Sequence, residues 1–142
     1  MKKTMLVVAL LSSALTGQSG RLANGVYAVE KGNATAKNAA VRPYEGKDVV
    51  LDTASFVPLA VEGKPEMSRG PGGSGLSIQL APDAAKRLED LTRSHINQPI
   101  AVVVGDKIVS APMVRSAITD GKAWVTPCEG ESCEALRREL SK

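Results

Sequence analysis

The residues with the clearest potential for chemistry are two cysteines and one histidine. Cys128 and Cys133 are the only cysteines of the chain and enclose four residues. A redox Cys-x-x-Cys pair is more closely spaced, and two thiols with the distant His95 are too few for a structural zinc site. We therefore expect a disulfide between these cysteines and neither a metal site nor a cofactor. His95 is expected to be a surface or helix-capping residue.

A glycine cluster matches the sequence pattern of a nucleotide-binding loop but lacks the helix that such a loop requires. Gly70, Gly72 and Gly75 match the G-x-G-x-x-G pattern, but that function requires the glycines to open a helix whose amides hold a pyrophosphate. The residues that follow, Leu76–Leu80, alternate apolar and polar side chains like a strand. The cluster is therefore predicted to be a flexible loop over 68–75. Since no nucleophile motif, carboxylate pair or metal cluster accompanies it, we predict that the protein is not an enzyme.

The amino terminus has the layout of a secretory signal. Lys2 and Lys3 precede an apolar run over Met5–Leu15, and small residues follow it. The run is shorter than the roughly 20 apolar residues that span a bilayer. We predict a signal peptide over 1–19 and a mature chain that is periplasmic or secreted with no transmembrane span, the alternative being an uncleaved run that holds the protein at the membrane. An oxidising compartment favours the disulfide.

The charge balance argues against nucleic acid as a partner. The chain has 18 Lys and Arg against 15 Asp and Glu. Two of the lysines leave with the predicted signal, so the mature net charge is +1. Charges of both signs are interleaved, whereas phosphate binding requires clustered Lys and Arg. We therefore expect a protein or polypeptide partner in the cell envelope and no nucleic acid, and the oligomeric state is left open.

The elements that must position these residues form a short series of strands and helices. Residues 20–47 are expected to be a segment of uncertain order with strand candidates at Gly25–Val29 and Ala39–Arg42. The predicted domain occupies 48–142 and begins with strand-like apolar runs. The clearest helix is predicted over Pro82–Ile96, because proline suits its first position and apolar residues recur along one face.

The second half of the domain is predicted to contain a hairpin, a strand and a closing helix. Ile100–Val104 and Lys107–Ser110 flank Gly105-Asp106, and a glycine in the first turn position favours a type II′ turn. Another strand is expected over Lys122–Thr126, followed by a short closing helix with Cys133, Leu136 and Leu140 on one side. The fold class is therefore α+β, with a mostly antiparallel sheet and two helices on one face.

This order of elements resembles the P1 head subdomain of the SecD and SecDF protein-export subunits over Leu76–Leu140. The resemblance implies the periplasmic head alone, because the transmembrane motor helices of that family have no counterpart here. The motif residues are expected to be mainly structural. They are Leu88, Leu91 and Thr92 on the helix, Ala101 on the first hairpin strand, Val109, Ser110, Ala111 and Pro112 after the turn, and Ile118 and Gly121 before the next strand.

Two departures from the family pattern concern turns and corners. The family usually has Asp-Gly where this chain has Gly105-Asp106, and a Gly-aromatic pair where this chain has Thr126-Pro127-Cys128. The resemblance implies an exported, non-enzymatic binding or accessory module that contacts secreted polypeptides or a translocon component. The alternative is a structural or assembly protein of the envelope that reuses the fold without an export role.

Overall fold

The computed structural model describes residues 20–31, 37–70, 73–126, 128 and 130–141. The predicted signal peptide over 1–19 lies outside these residues. The described elements are eight strands and two helices in the order β1 Gly25–Val29, β2 Ala39–Tyr44, β3 Lys47–Pro58, β4 Glu66–Gly70, β5 Gly73–Gln79, α1 Pro82–Arg93, β6 Ile100–Val104, β7 Lys107–Ser110, β8 Lys122–Val125 and α2 Gly130–Leu140. The expected α+β class is confirmed.

The first sheet has five strands in the order β2-β3-β1-β6-β7, and each pairing is antiparallel. β1 is its central strand, with Val26 and Ala28 buried on one face and Tyr27 on the other. The expected separation of 20–47 from a domain beginning at residue 48 does not match this arrangement, because both strand candidates of that segment lie inside the sheet. β3 is a strand of 12 residues whose pairing with β1 shifts register between Tyr27 and Ala28.

The second sheet has three strands in the order β4-β5-β8, also antiparallel. β4 and β5 pair from Glu66 opposite Ser77 to Gly70 opposite Gly73. The glycine cluster is therefore mainly a hairpin and not the expected flexible loop, because both flanks of the cluster have a strand to pair with. Residues 71 and 72 lie outside the described residues. The expectation of a single sheet is corrected to two.

Both helices pack against the same core, as predicted. α1 begins at Pro82 with Asp83 in its first turn, and it buries Ala84, Leu88 and Leu91. It ends at Arg93, three residues before the predicted end, and Asn97 follows with a left-handed φ of 66°. α2 contributes side chains to the same cluster, with Leu136 at its margin. The inner faces of the two sheets and both helices thus enclose one main core.

A smaller core lies on the opposite face of the five-stranded sheet. Tyr27, Leu51, Ala101, Val103 and Ile108 are buried there. The sheet curls around this cluster, since the edge strands β2 and β7 are in contact. The face of this sheet opposite the helices is therefore covered by the sheet's own curvature.

The turn between β6 and β7 is of a different type from the one expected. Gly105 and Asp106 have φ values of 63° and 67°, and positive φ at both central residues defines type I′. The Asp106 carboxylate accepts the Leu22 amide at 2.7 Å and binds the Arg42 guanidinium at 2.9 Å. These contacts stabilise an aspartate in the left-handed conformation. They also join the turn between β6 and β7 to β2 at the other edge of the curled sheet.

Candidate functional site

A mainly apolar groove of about 320 Å³ lies between the two sheets. Its floor consists of the inner face of β1 and β6, together with Leu88 of α1. One wall is the chain segment 112–118, and the other is β8. The apolar lining residues are Val26, Leu88, Ile100, Val102, Pro112, Met113, Val114, Ile118, Ala123 and Trp124.

The 112–118 wall is held in place at both ends. The Ile100 amide donates to the Pro112 carbonyl at 3.0 Å, and the Val114 amide donates to the Gln98 carbonyl at 2.9 Å. At the other end, the Ile118 amide donates to Thr92 Oγ1 at 2.9 Å. Since backbone and buried hydroxyl groups make these bonds, the groove is formed before any ligand arrives.

Met113 gives the groove its apolar mouth. Its side chain is 46% exposed, while neighbouring Val114 is 5% exposed and belongs to the main core. Methionine is unbranched and polarisable, so it adapts to side chains of different shapes and is frequent on promiscuous binding surfaces. An exposed methionine beside a preformed apolar groove is typical of a site that accepts varied apolar groups.

The charged residues of the groove are both cationic. Arg115 and Lys122 are part of the lining. The four ion pairs found in the described part of the chain involve neither of them. The Lys122 amide donates to Asp120 Oδ1 at 3.0 Å, so this carboxylate lies close to the backbone at the start of β8. The lining itself contains no acidic side chain, and it therefore favours a ligand that carries negative charge.

β8 presents an unpaired edge to the groove. Among the described strands it pairs with β5 alone, and its other side faces the groove. Further along the chain, Ser110 Oγ donates to the Thr126 carbonyl at 3.4 Å and ends the open stretch. The open part of this edge therefore spans Lys122–Val125.

Cys128 and Cys133 form the expected disulfide, and their Cα atoms are 4.9 Å apart. Both residues are 3% exposed and belong to the main core. The Cys128 amide donates to the Ser74 carbonyl at 2.9 Å, and Met67 Sδ lies 3.3 Å from Cys133 Sγ. The disulfide thus connects α2 to all three strands of the smaller sheet through β4, β5 and the end of β8. It is not part of the groove lining.

His95 and the described acidic residues do not form a reactive cluster. His95 Nδ1 lies 2.8 Å from the Leu91 carbonyl oxygen, so the imidazole caps the end of α1 as expected. The described residues contain no group of three or more His, Cys, Asp or Glu side chains that could hold a metal ion. Neither α1 nor α2 has the length and apolar character required to cross a membrane.

Comparison with known proteins decides the family. A family model described as the SecDF P1 head subdomain matches residues 44–136, which is more than half of the chain. The chain belongs to the SecDF P1 head family. The match begins well before Leu76, so it includes β3 and β4, which the sequence resemblance left out.

The relatives are protein translocase subunits. The chain is 30% identical over 77 residues to SecD of Thermobaculum terrenum, covering 54% of this chain and 15% of that protein. It is 36% identical over 54 residues to SecDF of Thermus thermophilus, covering 38% of this chain and 7% of that protein. It therefore spans only a small part of the length of these relatives.

A solved structure supports the fold. The chain matches a structure described as a membrane component SecDF that enhances protein export, with a TM-score of 0.50 and 14% identity. This match covers 84% of the present chain and 92% of the other. At this identity the likeness concerns the fold alone, and it agrees with the α+β assignment.

The P1 head motif residues fall into two groups in the structure. Leu88, Pro112 and Ile118 line the groove. The others lie around the groove. Leu91 and Val109 pack in the main core, and Ala101 and Ala111 pack in the smaller core. Thr92 and Ser110 make the hydrogen bonds described above, and Gly121 lies against α1. We propose that the second group is structural, as the sequence suggests, and that the first also contacts ligand.

Sequence reasoning missed the groove's most distinctive residues. Met113 and Arg115 lie outside any strand or helix, and Lys122 begins a short strand. The signal available in the sequence was the apolar pair Met113-Val114 followed by Arg115, outside any predicted strand or helix. Such a pattern does not reveal which sheet the segment borders.

Proposed function

We propose that this P1 head protein is an exported, non-enzymatic module that binds extended polypeptide in the groove between its two sheets. The observation that carries the proposal is the preformed apolar groove with Met113 exposed at its mouth. Unfolded chains differ from folded proteins in displaying apolar side chains and backbone, and such a groove offers contacts to both.

The family membership supports a role connected with protein export. The relatives are translocase subunits, and a binding module in that setting meets polypeptides that have not yet folded. We further propose that residues 1–19 are removed on export and that the mature chain acts in the periplasm. The disulfide is consistent with such an oxidising compartment.

The lining also supports a binding role over catalysis. Its polar groups are the side chains of Arg115, Ser116 and Lys122 and the buried Trp124 indole N–H, which has no hydrogen-bond partner among the described residues. General acid–base chemistry would require a partner group of suitable pKa beside them. Contact with a translocon component would use the same groove, which would then bind an edge strand of a folded protein.

The test compares two variants of similarly exposed methionines. Met113→Gln makes the groove mouth polar at nearly constant size, and Met67→Gln does the same on β4, outside the groove lining, where the side chain is 44% exposed. Binding to a reduced and carboxymethylated polypeptide is measured by fluorescence anisotropy, with the folded form of that polypeptide as a second control.

The proposal expects micromolar binding of the unfolded polypeptide only. It also expects Met113→Gln to weaken this binding about fivefold, the equivalent of about 1 kcal/mol of lost apolar burial. Met67→Gln should leave binding unchanged. Equal effects of the two substitutions would place the site elsewhere, and the absence of binding to any unfolded chain would refute the proposed function.

A further inference from the structure

The backbone of β8 has hydrogen-bonding groups that point into the groove. The Leu80 amide donates to the Gly121 carbonyl at 2.9 Å. This pair continues the register in which Ile78 faces Ala123 and Leu76 faces Val125. In an antiparallel ladder, bonded and non-bonded pairs alternate. Ala123 and Val125 therefore bond to β5.

Lys122 and Trp124 alternate with these two residues and direct their backbone groups to the other side. These groups are the Lys122 carbonyl and both the amide and the carbonyl of Trp124. The Lys122 amide is already bound by Asp120 Oδ1, and the next outward carbonyl, that of Thr126, is bound by Ser110 Oγ. Within Lys122–Val125, two acceptors and one donor are thus left. By the same alternation, the Thr126 amide also points to this side.

We infer that the groove binds its polypeptide as an added β-strand on the edge of β8, and that it selects segments whose apolar residues alternate and are flanked by acidic ones. This inference rests on the proposed function and specifies its mode. The added strand pairs with the free groups of Lys122 and Trp124, which supply affinity for any extended backbone.

Side-chain alternation determines what the added strand must contain. Ala123 and Val125 are 8% and 1% exposed and face the core, whereas Lys122 is exposed on the opposite face. Neighbouring residues on paired strands share a face. The strand's inward residues therefore meet the apolar floor of Val26 and Val102, and they must be apolar themselves.

Charge determines which residues are preferred next to the apolar residues of the bound segment. The groove contains Arg115 and Lys122 and no acidic side chain. Opposite charges on neighbouring strands stabilise pairing, and like charges directly opposite each other destabilise it. Segments with Asp or Glu beside the apolar residues are therefore preferred over segments with Lys. A lysine on an open edge can also protect that edge against aggregation, and this protective role predicts no such preference.

The first experiment locates the backbone contacts without altering the protein. A fluorescent heptapeptide of alternating Val and Thr with an Asp at each end is synthesised with a single N-methyl group at each position in turn. N-methylation removes one donor and blocks strand pairing on that side only. We expect methylation at alternate positions to weaken binding by roughly tenfold, as loss of a backbone hydrogen bond implies, and the intervening positions to be unaffected.

The second experiment tests the charge preference. The wild-type protein should bind the Asp-flanked peptide more tightly than a Lys-flanked one. The double substitution Arg115→Glu and Lys122→Glu should reverse this order. Arg138→Glu is the matched control, because Arg138 is exposed on α2 outside the groove lining and its reversal should preserve the order.

The outcomes separate this inference from the proposed function. If unfolded polypeptide binds and Met113→Gln weakens it, but N-methylation shows no period of two, the function stands and strand addition is wrong. A period of two without a preference for acidic flanks would overturn the charge selection and leave Lys122 a protective residue. If no unfolded chain binds, both proposals fail.

Discussion

Arg42 Nη2 lies 2.9 Å from Asp106 Oδ1, and this ion pair joins the edge strand β2 to the turn between β6 and β7. The two residues are 64 positions apart in the sequence. The same carboxylate oxygen accepts the Leu22 amide, while the Arg42 side chain also donates to the Gly20 carbonyl at 2.8 Å. One carboxylate thus holds together the curled sheet and the segment that precedes β1.

The first prediction concerns acid stability. The hydrogen bond from the Leu22 amide, followed by the one from Arg42, lowers the pKa of Asp106 below its ordinary value of 3.8. A lowered folded-state pKa contributes stability above the ordinary pKa, and this contribution is lost as the pH falls through the folded-state value. Asp106→Asn should therefore lower the free energy of unfolding at neutral pH, and this effect should shrink at an acidic pH below the ordinary value of 3.8, as the pH falls towards the lowered pKa.

Urea unfolding at the two pH values measures this difference. The control is Asp90→Asn, because Asp90 pairs with Lys86 on the exposed surface of α1 and such pairs contribute little. A destabilisation by Asp106→Asn that is equal at both pH values would show that the ionised carboxylate is not what closes the sheet.

The sequence predicts the local elements well and the long-range arrangement poorly. α1 is recognisable because its apolar period and Pro82 are local signals, and the strands beside Gly105-Asp106 are recognisable because turn residues separate two apolar runs. The central position of β1 depends on pairing with both β3 and β6, which no local pattern encodes. The type I′ turn depends on Leu22 and Arg42, so the glycine-first order alone gave the wrong type. The groove combines residues from both sheets and was therefore not predictable.

Thr92 provides a second prediction, about the wall of the groove. Its side chain is fully buried; Oγ1 donates to the Leu88 carbonyl at 2.8 Å and accepts the Ile118 amide at 2.9 Å. Thr92→Val keeps the shape but leaves that amide without its partner, which should cost about 1–3 kcal/mol of unfolding free energy. Thr92→Ser retains the hydroxyl and should keep the bond.

The comparison of Val and Ser is made by chemical denaturation and by polypeptide binding. Since Ile118 lines the groove, Thr92→Val should weaken binding as well as stability, whereas Thr92→Ser should affect binding little. Should the valine variant be as stable as the wild type, the bond between α1 and the 112–118 segment would be energetically unimportant.

The disulfide leads to a third prediction. Cys128 and Cys133 close a short ring, and the loop-entropy relation assigns such a ring about 2 kcal/mol of stabilisation. Replacing both with alanine should lower the unfolding free energy by about this amount, and reductant should then have no further effect. The groove is lined by other residues, so peptide binding by the folded double variant should be retained. A loss of binding at full stability would show that the disulfide also positions β8.

Gly121 leads to a fourth prediction, which separates backbone strain from crowding. Its φ is +69°, and a Cβ at this position would lie 2.7 Å from Ala85 Cβ and 2.9 Å from Gln79 Nε2. Gly46 has a similar φ of +79° but no neighbouring atom within 4 Å of such a Cβ. Gly46→Ala should therefore cost the left-handed strain alone, about 1–2 kcal/mol.

Gly121→Ala should cost about 1–3 kcal/mol more than Gly46→Ala, because α1 must also move away from the start of β8. Urea midpoints of the two variants measure this difference, and peptide binding reports whether the groove edge shifts. Equal losses of unfolding free energy in the two variants would mean that Ala85 and Gln79 move aside without destabilising the protein. A larger loss at Gly121 accompanied by weakened binding would show that the turn at Gly121 sets the distance between α1 and the edge of β8 that we propose as the binding edge.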